Sequence, residues 1–230
     1  MKRILKYIIS FSFLFACYQT LQAQKGTILP SYLMVGTDVA YIGMSIFNPE
    51  RSQFEINTSL DVYKFLLSID YGLAEWNIQK PNFTYLNKGN YYRIGVDYNL
   101  QARDPDQNIF YVGLKYAHSN FIEDFSYQVT DPFYYDYENN INNADISAGW
   151  FEANIGMKVK VWKGLYLGWV GRFKFAKSVN YPPSSFENYW IPGYGKGEND
   201  TQWGFGYQIL YRIPFRKKPP FNEKKVKEEK

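Results

Sequence analysis

The sequence has a single cysteine, Cys17, among its 230 residues. This cysteine lies in an N-terminal segment with three early basic residues, an apolar stretch from Tyr7 to Ala16, and a short-side-chain exit at Ala23, which together predict a secretory signal over residues 1–23. Cleavage after Ala23 would leave no cysteine, which excludes a disulfide framework and makes packing the source of stability. Residues 14–17 also resemble a lipobox, so acylation of Cys17 stays an alternative.

The chain also lacks a long hydrophobic run. After the signal, no stretch of about 18 uncharged apolar residues occurs, which excludes a transmembrane helix. Residues 203–215 instead alternate strictly, with an aromatic or aliphatic residue at every odd position from Trp203 to Phe215. Such a strand is longer than the usual 5–6 residues and has the length of a tilted membrane-spanning strand.

The same alternation occurs in seven upstream segments, each with one apolar face. Their apolar positions span Leu33–Tyr41, Phe54–Val62, Phe65–Leu73, Tyr92–Leu100, Phe110–Tyr116, Phe151–Val161 and Leu165–Phe175. Eight strands of this kind predict an all-β fold, namely a closed, antiparallel, up-and-down, eight-stranded transmembrane β-barrel over residues 24–215. We expect outward apolar faces and a filled interior.

The connections between these segments alternate in length. Three predicted links are short (63–64, 102–108 and 163–164), and four are longer (48–52, 79–89, 119–147 and 177–200). Outer-membrane barrels have short periplasmic turns and long external loops. The pattern therefore predicts the outer membrane of a Gram-negative bacterium, with both termini in the periplasm and with outer-membrane lipid and lipopolysaccharide as surroundings.

The faces opposite the apolar ones carry acids and bases in nearly equal number. An eight-stranded barrel is just wide enough for side chains to fill, and buried charges persist when they are paired. We therefore expect a salt-bridged lumen network rather than an open charged pore. Its predicted members are Asp38, Glu55, Asp70, Arg93, Asp97, Lys115, Glu152, Lys158, Arg172, Lys174 and Arg212.

Few residues suggest catalysis. The single histidine lies in His118-Ser119-Asn120, which superficially resembles a stretch of lipid A deacylases, but neighbouring side chains of a strand point to opposite faces. We expect an interfacial polar residue at His118, no catalytic residue, and no cofactor or metal. The glycine-rich run 191–197 lacks the spacing of a phosphate loop and predicts a surface turn.

The third external link has no Lys or Arg and is rich in carboxylates and aromatic residues. Its aromatic residues could pack over the barrel mouth or recognise a protein or glycan, and the candidates for recognition are Phe133, Tyr134, Tyr135 and Tyr137. Oxygen ligands between Asp136 and Asp145 leave a calcium site as a further alternative.

The positive net charge of the chain comes from its two ends. Residues 216–230 carry seven bases and three acids and predict a solvated periplasmic tail, while the body between signal and tail has more acids than bases. We therefore expect no nucleic-acid partner.

Several segments together resemble an uncharacterised outer-membrane barrel family of Bacteroidota, a domain of unknown function. They are Tyr92–Leu100, Val112–Tyr116, Leu167–Trp169, Ile191–Lys196 and Trp203–Phe215. The resemblance implies an outer-membrane protein without an established enzymatic role. The expected function is thus a structural or partner-docking component of an envelope complex, for example in outer-membrane protein assembly or export; a lipid-acting enzyme and a small passive pore are the alternatives.

Overall fold

The computed structural model describes residues 30–102, 104–129, 137–180 and 189–216, which form ten strands and one helix. The elements are β1 (Tyr32–Asp38), α1 (Val39–Phe47), β2 (Arg51–Val62), β3 (Phe65–Lys80), β4 (Phe83–Asn99), β5 (Ile109–Val129), β6 (Tyr137–Trp162), β7 (Leu165–Asn180), β8 (Trp190–Ile191), β9 (Gly195–Lys196) and β10 (Gln202–Pro214).

Eight of the strands close into a ring. From β2 to β7, each strand pairs antiparallel with its neighbours in sequence, β10 pairs with β7, and β1 joins β10 to β2. The two short strands β8 and β9 form a separate hairpin. The prediction of an all-β, up-and-down, eight-stranded antiparallel ring is confirmed.

Residues along each strand alternate between a buried face inside the ring and an exposed face outside it. In β10 and at Phe215 directly after it, the outward residues from Trp203 onward are 41% to 63% exposed, although all are aromatic or aliphatic. The inward positions hold most of the buried charges. This distribution is inverted relative to that of a water-soluble domain, in which charged residues are rarely fully buried.

The connections at one end of the ring are short, as the sequence predicts. Residues 63–64 and 163–164 are two-residue turns, and β4 and β5 are joined by residues 100–108. Tyr63 and Lys163 have φ angles of 63° and 34°, because tight hairpin turns match the strand twist through positive φ. We call this the lower end and the opposite one the upper end.

Much of the predicted upper loops is strand, so those loop predictions were wrong in part. β3 and β4 continue to Lys80 and from Phe83, which leaves only residues 81–82 as a link instead of 79–89. β5 and β6 likewise extend into 119–147, and β7 continues to Asn180. Because these extensions lack a continuous apolar face, apolar alternation does not predict them as strands.

The first predicted strand is also too long. β1 ends at Asp38, and Val39 and Tyr41 lie in α1. The Asp38 carboxylate accepts a hydrogen bond from Ala40 N at 3.0 Å and caps the helix, while Asn48 N donates to Met44 O at its other end. Over so short a segment, alternating apolar residues do not distinguish a strand from a helix. Packing against neighbouring elements stabilises the helix here. Within the described residues, no helix is long and apolar enough to cross a membrane.

Candidate functional site in the lumen and above it

The inside of the ring is filled by three layers of side chains. A lower apolar cluster lies near the short turns and consists of Tyr32, Met34, Leu66, Ile109, Tyr111, Tyr166, Val170 and Leu210. An upper apolar cluster consists of Ala74, Tyr91, Ala117, Phe121, Ile146, Ala148, Trp150, Trp190, Ile191 and Tyr194. Most of the buried charged side chains lie between these two clusters.

Glu55 of β2 is at the centre of the charged layer. Its carboxylate accepts hydrogen bonds from Arg93, from Arg172 Nη2 at 3.1 Å, from Tyr91 Oη at 2.6 Å and from Asn57 Nδ2 at 2.8 Å. All five side chains are buried. A buried carboxylate with two guanidinium partners and two neutral donors is well compensated for its loss of water.

Arg93 of β4 links this centre to two other places. Its Nε donates to Glu152 Oε1 at 3.0 Å, and its Nη2 donates to the carbonyl oxygen of Gly193 at 3.0 Å. The guanidinium also lies 4.5 Å from the centre of the Tyr91 ring, and Trp150 Nε1 donates to Glu152 at 2.8 Å. Arg93 therefore joins strands from opposite sides of the ring.

A second group of charges lies beside the first. Lys115 Nζ donates to Asp70 Oδ2 at 2.8 Å, and Asn57 Nδ2 reaches Asp70 Oδ1 at 3.1 Å, which connects the two groups. Asp97 accepts from Ser68 Oγ at 3.0 Å. All five of these residues also line a cavity of about 10 Å³, which has room for about one water molecule.

Ten of the eleven residues predicted for the lumen network are buried and lie together inside the ring. Lys158 donates to Ser59 Oγ at 3.0 Å, and Arg172 Nη1 lies 3.8 Å from Asp38 Oδ2. Arg212 lies apart at the lower end, where it donates to Gln107 Oε1 at 2.6 Å and contacts the Tyr32 ring.

Sequence reasoning missed the uncharged partners of this network. Asn57, Tyr91 and Trp150 donate hydrogen bonds to the buried carboxylates of Glu55 and Glu152. The sequence indicates only that these three residues lie at inward positions of their strands. No sequence pattern indicates that the backbone carbonyl groups of Gly193 and Tyr194 accept hydrogen bonds from Arg93 and Lys174.

The segment Tyr189–Gly197, which contains β8 and β9, covers the lumen from above, and we call it the cap hairpin. Lys174 Nζ donates to the carbonyl oxygens of Gly193 at 2.8 Å and Tyr194 at 2.7 Å. Asn87 Nδ2 donates to Trp190 O at 2.7 Å on the other side. The run 191–197 is a turn as predicted, but Ile191 and Tyr194 are fully buried, so its placement on the surface was wrong.

Two details show how the cap hairpin is held. Gly193 has φ +79° and lies against the Tyr91 ring, where a side chain would collide with that ring. The Tyr194 hydroxyl donates to Asn199 O at 2.9 Å, and burial, together with the charge of Asp200, raises the pKa of Tyr194 to about 12. This phenol therefore stays protonated and keeps its hydrogen bond at neutral pH.

Beside and above the cap hairpin, β3 to β6 continue as a sheet that we call the outer extension, formed by residues 75–80, 83–90, 119–129 and 137–149. On the face that continues the lumen side lies an aromatic row made of Phe83, Phe125, Tyr127 and Tyr137. Successive ring centres are 5.5 to 6.1 Å apart. Tyr137 is 55% exposed. Phe133, Tyr134 and Tyr135, the other three predicted recognition residues, lie outside the described residues.

His118 and Ser119 are not arranged as base and nucleophile. His118 Nε2 lies 3.2 Å from Asn120 Oδ1, and its ring packs on Tyr92. Ser119 is buried on the other face and donates to Asn90 O at 3.1 Å. Among residues 30–102, 104–129, 137–180 and 189–216, no group of three His, Cys, Asp or Glu side chains could hold a metal ion. The predicted signal and residues 217–230 of the predicted tail lie outside these ranges.

Comparison with protein families places this ring in a known sequence family. The family model of a domain of unknown function, DUF6048, matches residues 4–218. The chain belongs to this family. The DUF6048 match includes every described strand and ends just after β10, so ring, cap hairpin and outer extension are parts of one family unit. No curated protein matches the sequence.

Proposed function

We propose that this DUF6048 protein is an integral outer-membrane barrel of a Gram-negative bacterium, with both termini in the periplasm after removal of the signal. The observation that supports this placement is an apolar belt around the outside of the ring. On β3 and β4 the belt spans Phe65 to Leu73 and Tyr92 to Leu100. Each span has about nine residues, which is the length of a tilted strand that crosses a bilayer.

The upper edge of the belt lies at matching positions on neighbouring strands. Leu73 of β3 pairs with Asn90 of β4, Asn90 pairs with Asn120 of β5, and Asn120 pairs with Ser147 of β6. On β4, β5 and β6 the outward residues at this line are polar, as a boundary between hydrocarbon and water requires, and most outward residues above it are polar, with Leu86 and Ile122 as exceptions. The outer extension would then stand above the membrane surface.

The filled lumen favours a structural role over transport. The charged layer is compensated by internal ion pairs, and apolar clusters lie above and below it. A passive pore would need a continuous polar path, and a lipid-acting enzyme would need a nucleophile and a base on one face.

We further propose that the outer extension docks another envelope protein. Its aromatic row continues the inner surface beyond the cap hairpin and ends at the exposed Tyr137. Exposed tyrosine and phenylalanine next to polar groups are typical of binding surfaces, because such side chains bury much area at little cost in conformational entropy.

The membrane placement is tested by expressing the full chain in a Gram-negative host and treating intact cells with proteinase. An epitope inserted at residues 81–82 should be degraded from outside, while an epitope after residue 230 should be protected. The protein should also remain in the membrane pellet after carbonate extraction. Release by carbonate, or protection of the epitope at residues 81–82, would contradict the placement.

The docking proposal is tested with a photoreactive phenylalanine analogue in place of single residues. We expect a reproducible protein cross-link from Tyr137 and none from Asn140, which is exposed on the opposite face of the extension. The cross-link should weaken when Phe83, at the other end of the row, is changed to Ser. Equal cross-linking from both positions would speak against a specific surface.

A further inference from the structure

The wall of the ring has a gap in its strand pairing at the upper end. β1 pairs with β10 only as far as Asp38 opposite Gln208, and with β2 only as far as Thr37 opposite Ile56. β10 and β2 both extend further up, so residues 202–207 and 51–55 have no strand between them in the described part of the chain. We call this gap the seam.

Helix α1 fills the seam in place of a strand. It packs against both β2 and β10, and side chains bond to backbone groups that a strand would otherwise have paired. Tyr207 N donates to the Asp38 carboxylate at 3.2 Å, and Gln53 N donates to Ser45 Oγ at 2.9 Å. Thr37 Oγ1 donates to the carbonyl oxygen of Glu55 at 2.8 Å.

The helix has an inner and an outer face. Tyr41 and Ser45 lie one turn apart on the inner face, where Tyr41 is buried near Glu55 and Arg172. Ile42 and Ile46 lie one turn apart on the other face and are 37% and 72% exposed, and the adjoining Phe47 is 90% exposed. Nothing lies within 4 Å of a Cβ built on Gly43. The outer face is thus apolar and uncovered by the described residues.

This outer face continues the apolar belt. On one side of the seam, the outward residues of β10 are Trp203, Phe205 and Tyr207, and on the other side Phe54 of β2 points outward. The helix therefore lies at the upper edge of the belt on the β2 side, where Phe54 pairs with Leu73, and beside the belt residues Trp203 to Tyr207 on the β10 side.

We infer that the outer face of α1 is an interaction surface for the acyl chains of the outer leaflet, so that a helix replaces a strand as part of the membrane wall. This inference rests on the proposed membrane placement. Every backbone polar group in hydrocarbon needs a partner, and a helix satisfies its own groups internally. The hydrogen bonds that Asp38 and Ser45 accept and the one that Thr37 donates help to satisfy the flanking strand edges. Tyr41 then separates acyl chains from the buried charges behind the helix.

The test uses a nitroxide spin label on single cysteines in the full chain carrying Cys17→Ser, refolded into vesicles of 1-palmitoyl-2-oleoylphosphatidylcholine. The labelled positions are Ile46→Cys on the helix, Leu67→Cys on the belt, and Gln79→Cys on the outer extension. Oxygen concentrates in the bilayer and a nickel chelate stays in water, so their relaxation effects report the surroundings of each label. We expect an oxygen-to-nickel ratio at position 46 close to that at 67 and about tenfold above that at 79.

Each other outcome overturns the inference for a different reason. A nickel-accessible label at 46 together with an oxygen-accessible label at 67 would place the seam in water while leaving the membrane placement intact. A label at 46 that neither reagent reaches would show that protein, such as a second copy of the chain, covers the helix. A nickel-accessible label at 67 would remove the membrane placement itself.

Discussion

At the scale of single residues, the sequence predicts which side chains face the lumen but not which of them pair. Alternation alone predicts that Glu55 and Arg93 face the inside of the ring, but it does not predict that they contact each other. Their contact joins β2 to β4, which are not neighbours in the sheet, and Arg93 also reaches Glu152 of β6. Such contacts across the lumen depend on closure and on side-chain length, so local sequence patterns do not determine them.

Replacing Arg93 should test how strongly the buried network stabilises the ring. Arg93→Met removes the shared partner of two buried carboxylates, and we expect a loss of about 3–5 kcal/mol in the free energy of unfolding, because Glu152 loses its ion pair with Arg93 while Glu55 keeps Arg172. Urea titration of vesicle-bound protein, followed by tryptophan fluorescence, would measure it.

The matched control is Lys88→Met, which removes an exposed ion pair of 3.1 Å with Glu75 on the outer extension. We expect a change of about 0–1 kcal/mol there, since water screens this pair. Similar losses in the two variants would mean that the lumen network is not specially stabilising.

Two glycines should respond to alanine with opposite signs. A Cβ on Gly72 would lie 2.1 Å from the Tyr91 ring, whose hydroxyl donates to Glu55, so Gly72→Ala should destabilise the protein by about 1–3 kcal/mol. In α1, Gly43→Ala meets open space and should stabilise by about 0.5–1 kcal/mol, because alanine favours the helix. The same urea titration would compare them, and destabilisation by Gly43→Ala would contradict the described surroundings of α1.

At the scale of elements, the sequence predicts best the strand parts that carry the belt. There, one apolar face repeats without interruption, as in Tyr92 to Leu100. Most outward residues of the outer extension are polar, with Leu86 and Ile122 as exceptions, so apolar alternation predicts a loop there. The segment of α1 resembles a strand because Val39 and Tyr41 continue the alternation of β1. Both errors fall at the upper end of the ring, where neighbouring elements rather than the belt determine the local conformation.

The cap hairpin should loosen independently of the ring. Lys174→Met removes two hydrogen bonds from Lys174 Nζ to the carbonyl oxygens of Gly193 and Tyr194. If each contributes about 1.5 kcal/mol, amide hydrogen exchange in residues 189–197 should become at least tenfold faster while exchange in β3 and β10 stays unchanged.

The control for this variant is Lys196→Met, which removes only an exposed ion pair of 3.5 Å with Glu198. Exchange in the cap hairpin should then remain close to that of the unchanged protein. Equal acceleration in both variants would show that Lys174 does not hold the hairpin.

At the scale of the whole molecule, the ring reverses the distribution of apolar and charged side chains that a water-soluble domain has. Its outside is apolar, while its inside alternates between an apolar layer, a charged layer and a second apolar layer. The sequence predicts the inversion through its strict alternation. It does not predict the layers, because residues of each layer come from many strands and meet only when β1 pairs with β10.

This layering leads to a prediction about conductance. Ions would have to cross two apolar clusters and a compensated charged layer, so the reconstituted protein should give no channel steps in planar bilayers. Replacing residues 189–197 by a Gly-Ser linker removes Trp190, Ile191 and Tyr194 from the upper cluster only. The lower cluster around Met34 and Leu66 would still close the lumen, so this variant should also be silent. Steps in the unchanged protein would favour the pore alternative, whereas steps only in the variant would show that the cap hairpin alone closes the path.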